Sequence, residues 1–132
     1  MRAYVIEQHG GPDVLCEVER ALPLPGRGDV RIRVLAVALN HLDLWVRRGV
    51  PGHTFPLPIV PGCDVAGRIT AVGPEVMETE VGRLVILSPG MGCGSCVSCL
   101  ADREHLCRRY GIFGETRDGG CTEEMCVPAR AL

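Results

Sequence analysis

Four cysteines constrain this chain more than any other feature. They stand in the run Cys93-Gly-Ser-Cys96-Val-Ser-Cys99-Leu-Ala-Asp-Arg-Glu-His-Leu-Cys107. A Cys-x2-Cys turn aims two sulfurs at one ion, and Gly92 and Gly94 flank the first and permit the tight reversal. Four thiolates complete a tetrahedral zinc sphere at about 2.3 Å per bond, with no position left for water or substrate. The spacing of Cys93, Cys96, Cys99 and Cys107 therefore predicts a structural zinc in an irregular lobe over about 88–109. Such a site can contribute on the order of 10 kcal/mol to folding a segment that has no core of its own.

Two alternatives stand beside zinc. An iron–sulfur cluster shares the opening Cys-x2-Cys-x2-Cys, but the bacterial ferredoxin run continues with three residues and Cys-Pro. Here seven residues intervene and Arg108 follows Cys107. The other alternative is free or disulfide-bonded thiols. His105 lies inside the lobe, and a complete set of four cysteines leaves it facing solvent.

The rest of the chain reads as strands and turns. Glycine (17) and proline (10) make about a fifth of 132 residues, which argues for many short strands and against a helical bundle. Strands are expected at Tyr4-Val5-Ile6, Val14–Arg20, Val30–Ala38, Asp64–Val72, Arg83–Leu87 and Cys121–Val127. In the third, Val30 and Ile32 alternate with Arg31 and Arg33 before the run turns wholly apolar, the pattern of a half-buried strand becoming fully buried. Residues 40–49 read as the one clear helix. Asn40 is a good N-cap, Asp43 sits at the capping-box position, and Leu42, Trp45 and Val46 fall at helical spacing. Arg47 and Arg48 suit the dipole of the last turn, and Gly49 stops it. The segment 51–62, PGHTFPLPIVPG, is an extended loop.

Composition excludes several functions. All 14 basic residues are arginine, so no Schiff-base or Walker lysine exists. The net charge is −2, without a polybasic patch, so neither nucleic acid nor an anionic membrane is an expected partner. No apolar run approaches the ~20 residues of a membrane span. Residues 1–10 do not read as a secretory leader. Clustered cysteines without a leader are expected in the reducing cytoplasm.

The cysteine run, read with Asn40–Gly49 and Pro61-Gly62-Cys63-Asp64-Val65-Ala66-Gly67, resembles one family. It is similar to the zinc-containing alcohol dehydrogenases of the medium-chain dehydrogenase/reductase superfamily and to their quinone-reductase relatives. Ile112-Phe113-Gly114-Glu115, Asp118-Gly119-Gly120 and Val127-Pro128-Ala129 carry the same likeness. The resemblance implies a mainly β fold, a GroES-like β-barrel with few short helices, spanning 1–132 as the catalytic domain. It also implies a Rossmann domain binding NAD or NADP, which this chain does not contain, and it leaves room for a homo-oligomer. The intact protein would move hydride between nicotinamide and a small-molecule alcohol or carbonyl; this chain alone would be inactive.

The reaction centre departs from the family pattern. The resemblance places a catalytic zinc on a cysteine at the helix start and a histidine in a Gly-His-Glu turn. Those positions hold Asn40 and, in Gly62-Cys63-Asp64, Cys63. Cys63 and Asp64 can bind metal, whereas neutral Asn40 is a poor zinc ligand, so a second zinc is not expected. The zinc-free quinone reductases carry Asn and Asp where Asn40 and Asp43 stand, with an aromatic residue where Trp45 stands. There an amide can polarise a carbonyl oxygen in place of a metal. The likeness implies catalytic roles for Asn40, Asp43, Cys63 and Asp64, and cofactor contacts for His41 and Trp45. Each has a plainer account: helix caps for Asn40 and Asp43, core packing for Trp45, a small buried side chain for Cys63. Cys16, Cys121 and Cys126 read as buried small hydrophobes, the last two on opposite faces of one strand. Two other functions remain open. One is a quinone or enone reductase domain without catalytic zinc; the other is a stand-alone zinc-stabilised β-barrel binding module.

Overall fold

The alternation at Val30–Arg33 builds the central strand of the protein. A computed structural model describes residues 1–77 and 79–132. In it β3 (Asp29–Ala38) lies antiparallel between β4 (Asp64–Val72) and β8 (Glu124–Pro128), and β5 (Leu84–Ile86) adds to the far side of β4. Val30, Ile32, Val65, Ile69, Met125 and Val127 project from one face into the main core, with Leu87, Met91 and Phe113. On the other face Glu124 is buried beside two arginines. Arg31 Nε reaches it at 2.8 Å and Arg33 at 3.3 Å, and the Thr70 hydroxyl donates to it at 2.9 Å. A buried carboxylate is tolerable here because its oxygens are met by cations and a hydroxyl.

The second layer grows from the N-terminus. β1 (Arg2–Ile6) pairs with β2 (Leu15–Glu19) in register Val5 to Cys16. The other edge of β1 receives two passing segments, through Tyr4 N–H to Cys121 O (2.8 Å) and Ile6 N–H to Ile59 O (2.9 Å). Beneath α1 (His41–Arg48), Val46, Ile6, Val14, Phe55 and Ile59 form a second core. The cysteine lobe projects from a neck made by β6 (Gly90–Met91) and β7 (Gly111–Ile112), and contains the short α2 (Val97–Leu100). Arg130 ties the lobe to the chain end, donating to Gly92 O at 2.7 Å and to Glu104 at 3.3 Å. Among the described residues no helix is long and apolar enough to cross a membrane.

This mainly β architecture matches the expected fold class, with four local corrections. The second half of β3 is not buried: Leu35 is 57% exposed. The register shifts between Val34 and Ala36, a bulge that leaves Leu35 without a β4 partner on the face it shares with Arg31 and Arg33. The last strand begins at Glu124, because residues 121–123 bond β1 through Tyr4 N–H to Cys121 O and Glu123 N–H to Arg2 O, with only Glu123 O still accepting from β3 at Val34. Cys121 and Cys126 therefore do not share a strand. Cys16 is exposed, since β2 pairs on one side only, and Cys121 and Cys126 are half-buried.

Candidate functional site

The start of α1 and the turn before β4 meet at one carboxylate. Asn40 is the N-cap, in extended conformation, and Asn40 and Asp43 take up the reciprocal capping-box arrangement. Asp43 is only 9% exposed. One of its oxygens accepts the Asn40 N–H at 2.7 Å, and the other accepts the Gly62 N–H at 2.8 Å. Charge-assisted bonds of this kind are about twice as strong as neutral ones. They fix the Gly62-Cys63-Asp64 turn against the helix start.

Gly62 is required at this turn. Its φ is +95°, and a Cβ there would stand 2.7 Å from a Val37 methyl and 3.0 Å from Cys121 Sγ. The chain then carries Cys63 and Asp64 to the Asn40 amide. Asn40 Nδ2 donates to Asp64 at 2.8 Å, and lies 3.5 Å from both Cys63 Sγ and Ala38 O. An amide nitrogen has two hydrogens. One is held by Asp64; the other is shared between the two long contacts to Cys63 Sγ and Ala38 O.

Cys63 is buried, and its thiol is pushed up from the usual range, first by desolvation and then by the Asp64 and Asp43 carboxylates. Cys121, on the other side of Gly62, is pushed up to about 11 by burial, with Asp43 adding to the effect. Both are protonated thiols near neutral pH.

Asn40, Asp43, Cys63 and Asp64 are thus brought into one cluster. His41 and Trp45 are not part of it. They stand together on the exposed side of α1, ring centroids 6.0 Å apart, with Trp45 52% exposed rather than in the core.

The four lobe cysteines form a second set. Their sulfurs all lie within 4.8 Å of one another. The Cys93 and Arg109 N–H groups donate to Cys107 Sγ at 3.4 and 3.3 Å. The Ser95 backbone, chief among several hydrogen bonds, draws the Cys93 thiol down to about 5, while burial pushes Cys99 up to about 11. Four thiolates this close repel one another, and a divalent cation at their centre removes that conflict. Their donor chemistry fits tetrahedral zinc. His105 is exposed and lies outside the set.

The Asn40 cluster fits a metal poorly. Asn40 directs N–H hydrogens at both of them, where a cation would need lone pairs.

One pairing escaped the sequence reading. His53 Nε2 lies 3.8 Å from Glu115 Oε1. The two residues come from PGHTFPLPIVPG and IFGE, segments whose glycines and prolines announce turns but not that the turns meet.

The comparisons with known proteins agree in direction. The family described as "Alcohol dehydrogenase GroES-like domain" matches residues 26–132. The chain is 34% identical over 131 residues to the starvation-sensing protein RspB of Escherichia coli (strain K12), covering 98% of this chain and 37% of that protein. It is 34% identical to an NAD-dependent alcohol dehydrogenase of Saccharolobus solfataricus (strain ATCC 35092 / DSM 1617 / JCM 11322 / P2), covering 97% of this chain and 38% of that one. A crystal structure of an NAD-dependent alcohol dehydrogenase superposes with a TM-score of 0.94 at 46% identity, covering 99% of this chain and 38% of that one. The chain thus spans little more than a third of the relatives it matches.

Proposed function

This chain belongs to the alcohol dehydrogenase GroES-like domain family, and we propose that it is the catalytic domain of an NAD(P)-dependent oxidoreductase acting on a small-molecule alcohol or carbonyl compound. The nicotinamide supplies hydride chemistry at its C4 when bound, held mainly by a dinucleotide-binding domain outside these residues. The observation that carries the reading is the Asn40 amide, held at 2.8 Å by Asp64 on a turn that Asp43 fixes.

In this reading Asn40 directs its loosely held N–H at the substrate oxygen. A preorganised donor there stabilises the negative charge that grows on oxygen as hydride moves. Asp64 keeps the amide from rotating away. Asp43 holds the two walls together and does not meet the substrate. Cys63, a protonated thiol, stands beside the amide, its sulfur 3.5 Å from Asn40 Nδ2. His41 and Trp45 present an exposed edge to the cofactor. Cys93, Cys96, Cys99 and Cys107 hold one structural zinc, which takes no part in chemistry because no coordination position stays open. Eight free cysteines suit a reducing compartment such as the cytoplasm.

The donors around Asn40 also favour a second reading, a reductase of quinones or enones that works without a catalytic zinc. One experiment tests both. The full-length protein is offered panels of alcohols, ketones, quinones and enones with NAD(H) and NADP(H), and its zinc is counted. Turnover with one zinc per chain, and only a small loss on Cys63→Ala, supports metal-free carbonyl chemistry. A second zinc removed by that change supports the zinc-type dehydrogenase instead. No turnover with any pair overturns the oxidoreductase reading.

A further inference from the structure

Two carboxylates hold Asn40, and they are in opposite states. Asp43 holds its main chain. That carboxylate is buried, and each oxygen already accepts a backbone N–H, at 2.7 Å from Asn40 and 2.8 Å from Gly62. Asp64 holds its side chain and is exposed. One Asp64 oxygen accepts the amide N–H at 2.8 Å, and among the described residues the other oxygen has no hydrogen-bond partner.

Both ends of that second bond are mounted on paired strands. Asp64 lies opposite Ala38 in the last rung between β4 and β3, and Asn40 follows Ala38 by two residues. An N–H donor and an open carboxylate oxygen therefore stand side by side on fixed backbone, at a point reached by solvent. A hydroxyl group matches such a pair, because it can donate to the carboxylate and accept from the amide at once.

We propose that Asp64 is the proton acceptor of the reaction, while Asp43 only braces the site. The inference rests on the oxidoreductase reading above. Oxidation of an alcohol breaks one C–H and one O–H bond and makes a C=O bond. The C–H electron pair leaves as hydride to the oxidised nicotinamide. The hydroxyl proton passes to the Asp64 carboxylate, which releases it to water; carbonyl reduction reverses the path from protonated Asp64. The other groups of the cluster are unfit for the step. The Asn40 amide is not basic, and the Cys63 and Cys121 thiols already carry their protons near neutral pH. The Asp43 oxygens are both filled by N–H groups and shut away from solvent. Environment thus divides two carboxylates between two roles.

The test is alcohol oxidation by the full-length protein with NAD and with NADP. Asp64→Asn keeps an oxygen for the Asn40 amide and removes the base. It is expected to lower kcat by about 10²–10³-fold and leave KM nearly unchanged. Asp64→Ala falls as far and recovers in part with added formate, which replaces a lost base and not a lost brace. Zinc content and the urea denaturation midpoint stay at wild-type values in both. Near-wild-type kcat in Asp64→Asn, a loss in Asp64→Ala that formate does not restore, or release of a zinc equivalent by either change overturns the assignment while the oxidoreductase reading stands. So does a wild type that reduces only quinones or enones. A wild type that turns over no alcohol, ketone, quinone or enone overturns that reading and the assignment with it.

Discussion

Asp43 and Gly62 are joined by a hydrogen bond of 2.8 Å from the glycine N–H to a carboxylate oxygen, and the second oxygen holds the Asn40 N–H at 2.7 Å. A single buried side chain therefore sets the distance between the helix that carries the amide and the turn that carries the thiol.

Replacing Asp43 by Ala leaves two N–H groups without their acceptor. The expected loss is about 2–3 kcal/mol in unfolding free energy, read from urea denaturation. Asp43→Asn, which keeps the shape and drops the charge, should lose less. A loss near zero for the alanine variant would show that the cleft does not depend on this brace.

Gly62→Ala tests the turn itself. A side chain at φ +95°, pressed on Val37 and Cys121, is expected to cost about 2 kcal/mol. Cys121→Ala in the same chain should return part of it, which a pure backbone effect would not permit.

The zinc assignment makes a stoichiometric prediction. Purified wild-type chain should release one zinc equivalent to a chromophoric chelator, and Cys107→Ser none. Chelated protein should become sensitive to proteolysis between residues 93 and 109 while the β3–β4 sheet stays protected.

Glu124→Gln removes the charge that faces Arg31 inside the sheet. Both side chains are largely buried, at 10% and 15% exposure, so an uncompensated guanidinium remains. The expected cost is about 3 kcal/mol. Arg33, 64% exposed, adds little, and Arg33→Ala should stay within about 1 kcal/mol of wild type.

Stability should fall in alkaline solution. The folded protein holds the Cys63 and Cys121 protons to higher pH than the unfolded chain does, so it binds more protons across that window. Unfolding free energy then decreases as pH climbs from about 8.5 toward about 11. Denaturation midpoints at pH 8 and pH 10 measure the slope, and Cys121→Ser should flatten it.

Much of the local structure was legible because its signals are local. Asn40, Arg47, Arg48 and Gly49 bracket α1 within one residue, and the strand expected over Asp64–Val72 coincides with β4. The four cysteines converge within one short lobe, as their spacing predicts. What sequence did not disclose depends on segments far apart. The unpaired position of Leu35 follows from a bulge against β4. The exposure of Cys16 follows from β2 having a single neighbour. The late start of β8 follows from β1 capturing residues 121–123. The same holds in the candidate site. Asn40 and Asp43 could be read as caps from their own neighbourhood, but nothing near them foretells Asp64 or Gly62 as partners. His53 and Glu115 each sit in a turn, and only the fold brings the two turns side by side.

Asp43 grips the turn through the backbone nitrogen of Gly62, and no side chain at position 63 takes part in that grip. The identity of residue 63 is thus separable from the architecture around it. A serine, close to cysteine in size, would inherit the same placement, and position 40 is likewise held by its main-chain N–H. The brace therefore constrains the backbone at positions 40 and 62 and leaves the side chains of residues 40 and 63 open to exchange for others of similar size.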